Sequence, residues 1–390
     1  MRVLQVTNTL HRGGAEAHLL LLAKGLQSRG VTCDVAFLRA AVTGGSPDLR
    51  QTFEDAGIRT HYLGCEHSYD LRAAVRLNRL LATQCWDVLH SHLPRCDAAA
   101  AACRLFRSSR TWISTLHHPY DSDDNAYSAG GWIGTLAPMW RLADGVIAVS
   151  EPVRQWAIER LGLSPDAVRT IVHGIDIEAQ NRSAPPRTAS NSPTHYCIGS
   201  IGRYEERKGH ETLIRAMVTV LQEFPDAELK IAGHDPWGHG EELQRVIGEL
   251  RLNQRVHLVG FVDNAAFLSD VDVFAFASRS EGFGIVLLEA MAAGKPAVVS
   301  NISPLNDIIC AGRSGLVADR DDPSSFAHAI VSLLRDEGYR RRIGEEGRRR
   351  VATEFSQEAM VDNTLQYYRD VMGMKGATAH GNGVDRVSRG

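Results

Sequence analysis

The chain has 390 residues, of which 44% are apolar and 23% charged, and its formal net charge is −3. That composition is globular and long enough for two domains of ordinary size. The balance excludes a protein that holds nucleic acid by bulk electrostatics. Seven cysteines (Cys33, Cys65, Cys85, Cys96, Cys103, Cys197 and Cys310) lie scattered, without zinc-finger or Cys-x-x-Cys spacing. They read as free thiols of a reducing compartment. No stretch approaches the length of a membrane span, and the short apolar start reads as a strand and not a signal peptide. The expected location is the cytosol.

In the first half, short β-branched runs at 3–7, 33–38, 60–63, 88–92, 112–116 and 146–149 read as strands. Helical stretches at 16–28, 71–81, 98–106 and 152–160 alternate with them. This alternation predicts a parallel sheet with crossover helices. A Pro- and Ser-rich polar stretch at 179–194 follows and reads as a linker. The alternation then restarts. Strands are expected at 195–201, 228–232, 256–258, 273–276, 297–300 and 315–317, with helices at 212–223, 241–250 and 285–293 among the connections. The expected architecture is α/β: two Rossmann-like domains facing across a cleft, with ligands at the carboxyl ends of the strands. The domains divide as 1–178, a linker over 179–194, and 195–355. A last helix at 356–372 has Met360, Leu365 and Tyr368 to pack, and a Gly-rich tail at 373–390 is expected to be disordered.

The most informative pair is Glu281 and Glu289. Between them lie Gly282-Phe283-Gly284 and an apolar run, and Gly294-Lys295-Pro296 stops the helix behind them. Glu281 therefore precedes a helix N-terminus, and Glu289 lies inside that helix. Eight steps at helical rise separate them by roughly 12 Å. The amides at such a helix start attract an anion, so the layout suits a ligand with hydroxyls at both ends and phosphates between, as in a nucleotide sugar.

Arg203 and Lys208 follow the first strand of the second half and open the next helix. Two cations there either neutralise a diphosphate or decorate a surface loop. Beside the two glutamates, the first reading prevails. In the first half, His11-Arg12-Gly13-Gly14-Ala15-Glu16 follows the opening strand. Its glycines permit close approach to a phosphate, yet a full Gly-x-Gly-x-x-Gly fingerprint is absent, and a plain tight turn reads equally well. His117 and His118 follow the strand 112–116, again at a carboxyl end, where one of them is placed to bond a sugar hydroxyl. No metal site can be assembled from these residues, and Ser150 and Ser200 sit in no nucleophile elbow. Arg72, Arg76 and Arg79 share a helix face, with Arg95, Arg104, Arg107 and Arg110 beyond. They form either a solvated face or a docking patch for an anionic membrane or lipid-linked acceptor.

These motifs together resemble the retaining glycosyltransferases of family 4, which have the GT-B fold. The resemblance covers nearly the whole chain. It rests on Gly13-Gly14-Ala15-Glu16, Ser150-Glu151-Pro152-Val153, His173-Gly174-Ile175-Asp176, Gly202-Arg203 with Lys208-Gly209, and above all on Glu281 and Glu289. It implies that Glu281 holds donor-sugar hydroxyls and Glu289 the ribose hydroxyls. The amides of Phe283, Gly284 and Ile285, with Arg203 and Lys208, take the diphosphate, and Gly14 reaches it from the other domain. His117 contacts the donor sugar near the reacting carbon, although His118 stands where many members have Asp, so either histidine can fill that role. Many members also have Asn where His173 stands. No metal or cofactor is implied, and the donor is a nucleotide diphosphate sugar. The acceptor is a saccharide, a lipid-linked saccharide or a small molecule. Membrane contact would run through Arg72, Arg76, Arg79, Arg104 and Arg107 at the inner membrane face. The helix 356–372 would cross back to brace the first domain. Two rivals stay open, a nucleotide-sugar epimerase and a non-catalytic sugar-nucleotide-binding subunit.

Overall fold

The computed structural model describes residues 1–10, 13–39, 49–65, 70, 72–105, 110–120, 137–178 and 195–381. The expected linker at 179–194 and Arg107 lie outside them. The chain divides into two compact units. One comprises the residues up to Gly174 together with those from Gln357 onward, and the other is formed by Ile175–Ser356.

In the first unit, seven parallel strands stand in the order β3-β2-β1-β4-β5-β6-β7. They are β1 Arg2–Thr7, β2 Thr32–Phe37, β3 Thr60–Tyr62, β4 Val88–His92, β5 Thr111–Leu116, β6 Gly145–Ala148 and β7 Val168–Thr170. β4, β5 and β6 are buried along their whole length, as expected of parallel strands covered on both faces. Local chemistry sets the helix ends. Ser150 caps Glu151–Leu161 by accepting from the Val153 amide at 3.4 Å, with Pro152 in the first turn, and Gly162 closes the other end.

The last helix, Gln357–Gly381, belongs to this first unit. It seats Met360, Val361, Leu365, Tyr367, Tyr368 and Val371 in the core of the first sheet. Tyr367 Oη accepts from the Val146 amide at 3.0 Å and donates to the Ala167 carbonyl at 2.9 Å. Arg169 pairs with Asp370 at 2.7 Å. The helix is described as far as Gly381.

In the second unit, six parallel strands stand in the order β10-β9-β8-β11-β12-β13. They are β8 Cys197–Ile201, β9 Glu228–Ala232, β10 Val256–Gly260, β11 Val273–Phe276, β12 Ala297–Ser300 and β13 Leu316–Ala318. Its core joins β8, β9 and β11 to the helices His210–Glu223, His239–Glu249 and Pro323–Arg335. Short helices at Arg50–Asp55, Asn264–Ser269 and Leu305–Ile308, and the long Pro323–Arg335 and Glu337–Glu354, complete the two units.

Both sheets change winding direction at one place. In the first, the chain steps from β1 outward to β2 and β3, then returns to the other side of β1 with β4. The second does the same between β8 and β11. Loops leaving the carboxyl ends of two such neighbours diverge and leave a crevice.

Candidate active site

In the second unit, the loops after β8 and β11 meet at its switch point. Glu281 and Lys208 leave different strands and end in contact: Lys208 Nζ donates to Glu281 Oε1 at 2.6 Å. Ser278 Oγ donates to the same oxygen at 2.7 Å, and Arg207 lies 3.9 Å from the other. These side chains are only about a tenth exposed. Burial alone would raise the Glu281 carboxyl. The charges of Lys208 and Arg207 and the bonds from Lys208 and Ser278 outweigh it and hold the group down at about 2. Glu281 is thus an anion with one oxygen committed to Lys208.

Lys208 ends a single 3-10 turn, Glu206–Lys208, closed by Gly209. Gly209 has φ +62°, and a Cβ there would lie 2.0 Å from the Ala277 carbonyl oxygen. Only glycine lets the two loops approach so closely. Arg207 braces the turn, donating to Glu205 at 2.7 Å and to the Ser280 carbonyl at 2.8 Å. Arg203, on the same loop, is more exposed. Half exposed, it pairs with Glu205 at 3.2 Å and stacks 5.1 Å above the exposed ring of Trp237. The two cations expected to act alike are therefore unlike: one is buried on a carboxylate, the other at the surface on an indole.

Gly284 caps the helix Ile285–Ala292 with φ +112°. The Phe283 ring is buried edge-on against Phe355 at 6.0 Å, so what it presents toward a ligand is its backbone. Glu289 lies one turn into this helix and accepts from Asn264 Nδ2 at 2.7 Å. Asn264 opens the short helix Asn264–Ser269 that follows β10, and this contact fixes one carboxylate oxygen.

In the first unit, Gly14 is the exposed first residue of the helix Gly14–Ser28. His117 follows β5 directly, and its Nε2 lies 3.0 Å from Nδ1 of His92, the last residue of β4. His18 and His173 close the group: their Nδ1 atoms are 2.8 Å apart, and the His117 and His173 rings stack at 5.5 Å. Burial pushes His117 down to about 4, His90 to about 3, and His18, His92 and His173 well below the ordinary range. The cluster is neutral at physiological pH. His118 instead bonds the Pro119 carbonyl. Nearby, Asp97 is buried under Ser91, Ser114 and Trp140, and burial raises it to about 7.

The arginines of the expected docking patch divide. Arg76 donates to the Leu63 carbonyl at 2.6 Å, and Arg104 pairs with Asp144 at 2.6 Å. Arg72 is exposed beside Asp70, and Arg79 is exposed. Among the described residues no helix is long and apolar enough to cross a membrane, and no group of His, Cys, Asp and Glu is arranged to hold a metal ion.

Sequence reasoning singled out Glu281, Glu289, Lys208 and His117. It passed over Arg207, Ser278, Asn264, Gln5 and His92, and named Tyr368 only as a packing residue. One signal was available: Leu89-His90-Ser91-His92 sets two histidines at strand period inside a buried strand.

Two Rossmann-like α/β units, each with its loops gathered at a switch point, define the class of the GT-B glycosyltransferases. Residues 186–350 match the family model of glycosyl transferases group 1, and residues 12–179 that of glycosyltransferase family 4. A phosphatidyl-myo-inositol mannosyltransferase of Mycobacterium leprae (strain TN) is 32% identical over 86% of this chain and 87% of its own length. The chain belongs to the group 1 glycosyltransferases, family 4, and is an enzyme of glycosyl transfer. An N-acetyl-alpha-D-glucosaminyl L-malate synthase of Bacillus anthracis is 25% identical over 78% of this chain and 80% of its own. Among solved structures, Anabaena Alr3699/HepE in complex with UDP and glucose superposes with TM-score 0.81 at 19% identity, covering 94% of this chain and 99% of that one. That likeness concerns the fold.

Proposed function

We propose that this chain moves a sugar from a nucleotide diphosphate sugar to an acceptor hydroxyl with retention at the anomeric carbon. The observation that carries this reading is the buried Lys208–Glu281 pair beside the N-terminus of Ile285–Ala292, on loops from adjacent strands. Lys208, Arg203 and the amides of Phe283, Gly284 and Ile285 take the diphosphate, Glu281 a donor-sugar hydroxyl, and Glu289 the ribose. Gly14 and His117 are the first unit's contributions. In the transfer, the bond from the anomeric carbon to the diphosphate oxygen breaks and a bond to the acceptor oxygen forms on the same face. The acceptor proton passes to the departing phosphate. Catalysis is stabilisation of that leaving group and orientation, and the cations and helix terminus supply it without a metal.

The acceptor is proposed to be lipid-linked and met at the cytosolic face of a membrane. Supporting this, Arg72, Val75 and Arg79 are exposed at helical spacing on Arg72–Thr83, and a relative's name includes phosphatidyl-myo-inositol. Sedimentation with anionic and neutral vesicles tests it: binding to the anionic ones alone, weakened in Arg72→Glu/Arg79→Glu, is expected, and equal recovery with both refutes it.

The donor is tested by thermal unfolding with nucleoside diphosphates and their sugars in the presence of a chelator. A raised midpoint with a nucleotide diphosphate, lost in Lys208→Ala, is expected. No shift with any of them, or a shift that needs a divalent cation, contradicts the reading. An epimerase would convert donor sugar without an acceptor, and a regulatory subunit would bind donor without turnover.

A further inference from the structure

A continuous chain of buried hydrogen bonds runs inward from His117, entirely within the first unit. His117 Nε2 faces His92 Nδ1 at 3.0 Å, and His92 Nε2 faces Gln5 Oε1 at 2.8 Å. Gln5 Nε2 donates to Tyr368 Oη at 3.1 Å, Tyr368 Oη faces His90 Nδ1 at 2.6 Å, and His90 Nε2 faces Thr115 Oγ1 at 2.6 Å. Gln5, His90, His92 and Tyr368 are fully buried. Residues from β1, β4, β5 and the returning helix Gln357–Gly381 all take part.

Such a chain has a direction. Both imidazoles at its head are neutral, so of the facing nitrogens of His117 and His92 one carries a proton and the other a lone pair. The amide decides which. Gln5 Oε1 only accepts, so His92 carries its proton on Nε2 and offers a bare Nδ1. His117 must then donate from Nε2, which leaves its own Nδ1 bare. At its other end the Gln5 amide donates its N–H to Tyr368, opposite the oxygen that faces His92. Turning the amide over would reverse every bond and protonate His117 on Nδ1 instead.

We propose that Gln5, acting through His92, is a positioning residue that fixes His117 in its Nε2–H tautomer and so leaves Nδ1 as the acceptor for a donor hydroxyl. Tyr368, from the C-terminal helix, accepts the Gln5 N–H and leaves its own proton for His90. This rests on the proposed function only for the identity of the hydroxyl; the tautomer itself is a property of the chain alone. The role is one that a glutamine can fill because its amide has distinct donor and acceptor ends, and Thr or Ser in its place would impose no direction.

The test is 15N-labelled histidine NMR of the full chain without ligand, with His117 assigned from His117→Gln. Wild type is expected to show a protonated Nε2 and an unprotonated Nδ1 on His117. Gln5→Leu removes the acceptor. An orphaned buried N–H is worse tolerated than an orphaned lone pair, so His92 moves its proton to Nδ1, and His117 shifts toward Nδ1–H. With donor and acceptor, Gln5→Leu is expected to lose about tenfold in kcat, the scale of one hydrogen bond in the transition state. A wild-type His117 protonated on Nδ1, or one unmoved in Gln5→Leu, overturns the proposal. The NMR result is independent of turnover. A protein with the expected tautomer and no transfer would instead overturn the function assigned above.

Discussion

Replacing Lys208 by Met leaves the Glu281 carboxylate buried with its nearer cation gone. Glu281 is held at about 2 in the folded chain. Against an ordinary value near 4.3, and at ~1.36 kcal/mol for each tenfold change in proton affinity, that is at most roughly 3 kcal/mol, because burial lowers Lys208 itself and works against the pair. Lys208 at 2.6 Å supplies more of it than Arg207 at 3.9 Å, so about 2 kcal/mol is expected to be specific to the pair. The sign follows from the lowered value. The folded state binds fewer protons than the unfolded, so the contribution is complete above about pH 5 and is lost as pH falls toward 2. The assay is a double-mutant cycle of Lys208→Met and Glu281→Gln, followed by urea unfolding at pH 7 and at pH 3.5. A coupling of about 2 kcal/mol at pH 7 that shrinks at pH 3.5 is expected. A coupling below about 0.5 kcal/mol at pH 7, or one insensitive to pH, would refute the electrostatic origin of the pair.

Three further outcomes follow from the geometry. Asn264→Ala frees the Glu289 carboxylate from its 2.7 Å tether; a hydrogen bond to a charged group is worth about 1.5–3 kcal/mol, so donor KM should rise at least tenfold with kcat little changed, and an unchanged KM removes Asn264 from the site. Gly284→Ala puts a Cβ 2.9 Å from Leu305 at φ +112° and should cost about 1–3 kcal/mol of stability; an unaltered unfolding midpoint would show that this turn is not strained. Acidification should destabilise the first unit, because His117 and His90 are neutral when folded, at about 4 and about 3, but protonate when unfolded. Between pH 6.5 and 5 each costs about 1.5 kcal/mol, and a flat unfolding profile over that range would contradict their burial.

Strands buried on both faces were the most legible elements. Those at 273–276 and 297–300 were read from the sequence residue for residue, because apolar runs mark them. Val168–Thr170, Arg50–Asp55 and Leu305–Ile308 were too short for any period to emerge. Pro323–Arg335 did carry a signal, with Asp322 capping the Ser324 amide at 2.8 Å and Pro323 in the first turn. In the site, Glu281 and Glu289 stood out because their spacing is local. The contact between Lys208 and Glu281 joins residues 73 apart in sequence, and the relay from Gln5 to Tyr368 spans 363. Neither leaves a periodic trace, since both arise only when crossover helices bring strands of distant sequence together.

Transfer with retention is tested most directly by incubating the purified chain with nucleotide diphosphate sugars, with and without lipid and saccharide acceptors. Nucleotide release and the anomeric configuration of the product are then read by NMR. The expected result is release that depends on acceptor, a product with the donor's anomeric configuration, and a loss of about 100-fold or more in Lys208→Ala, as when a group that stabilises transition-state charge is removed. Conversion of the donor without acceptor, an inverted linkage, or near-normal rates in Lys208→Ala would contradict it.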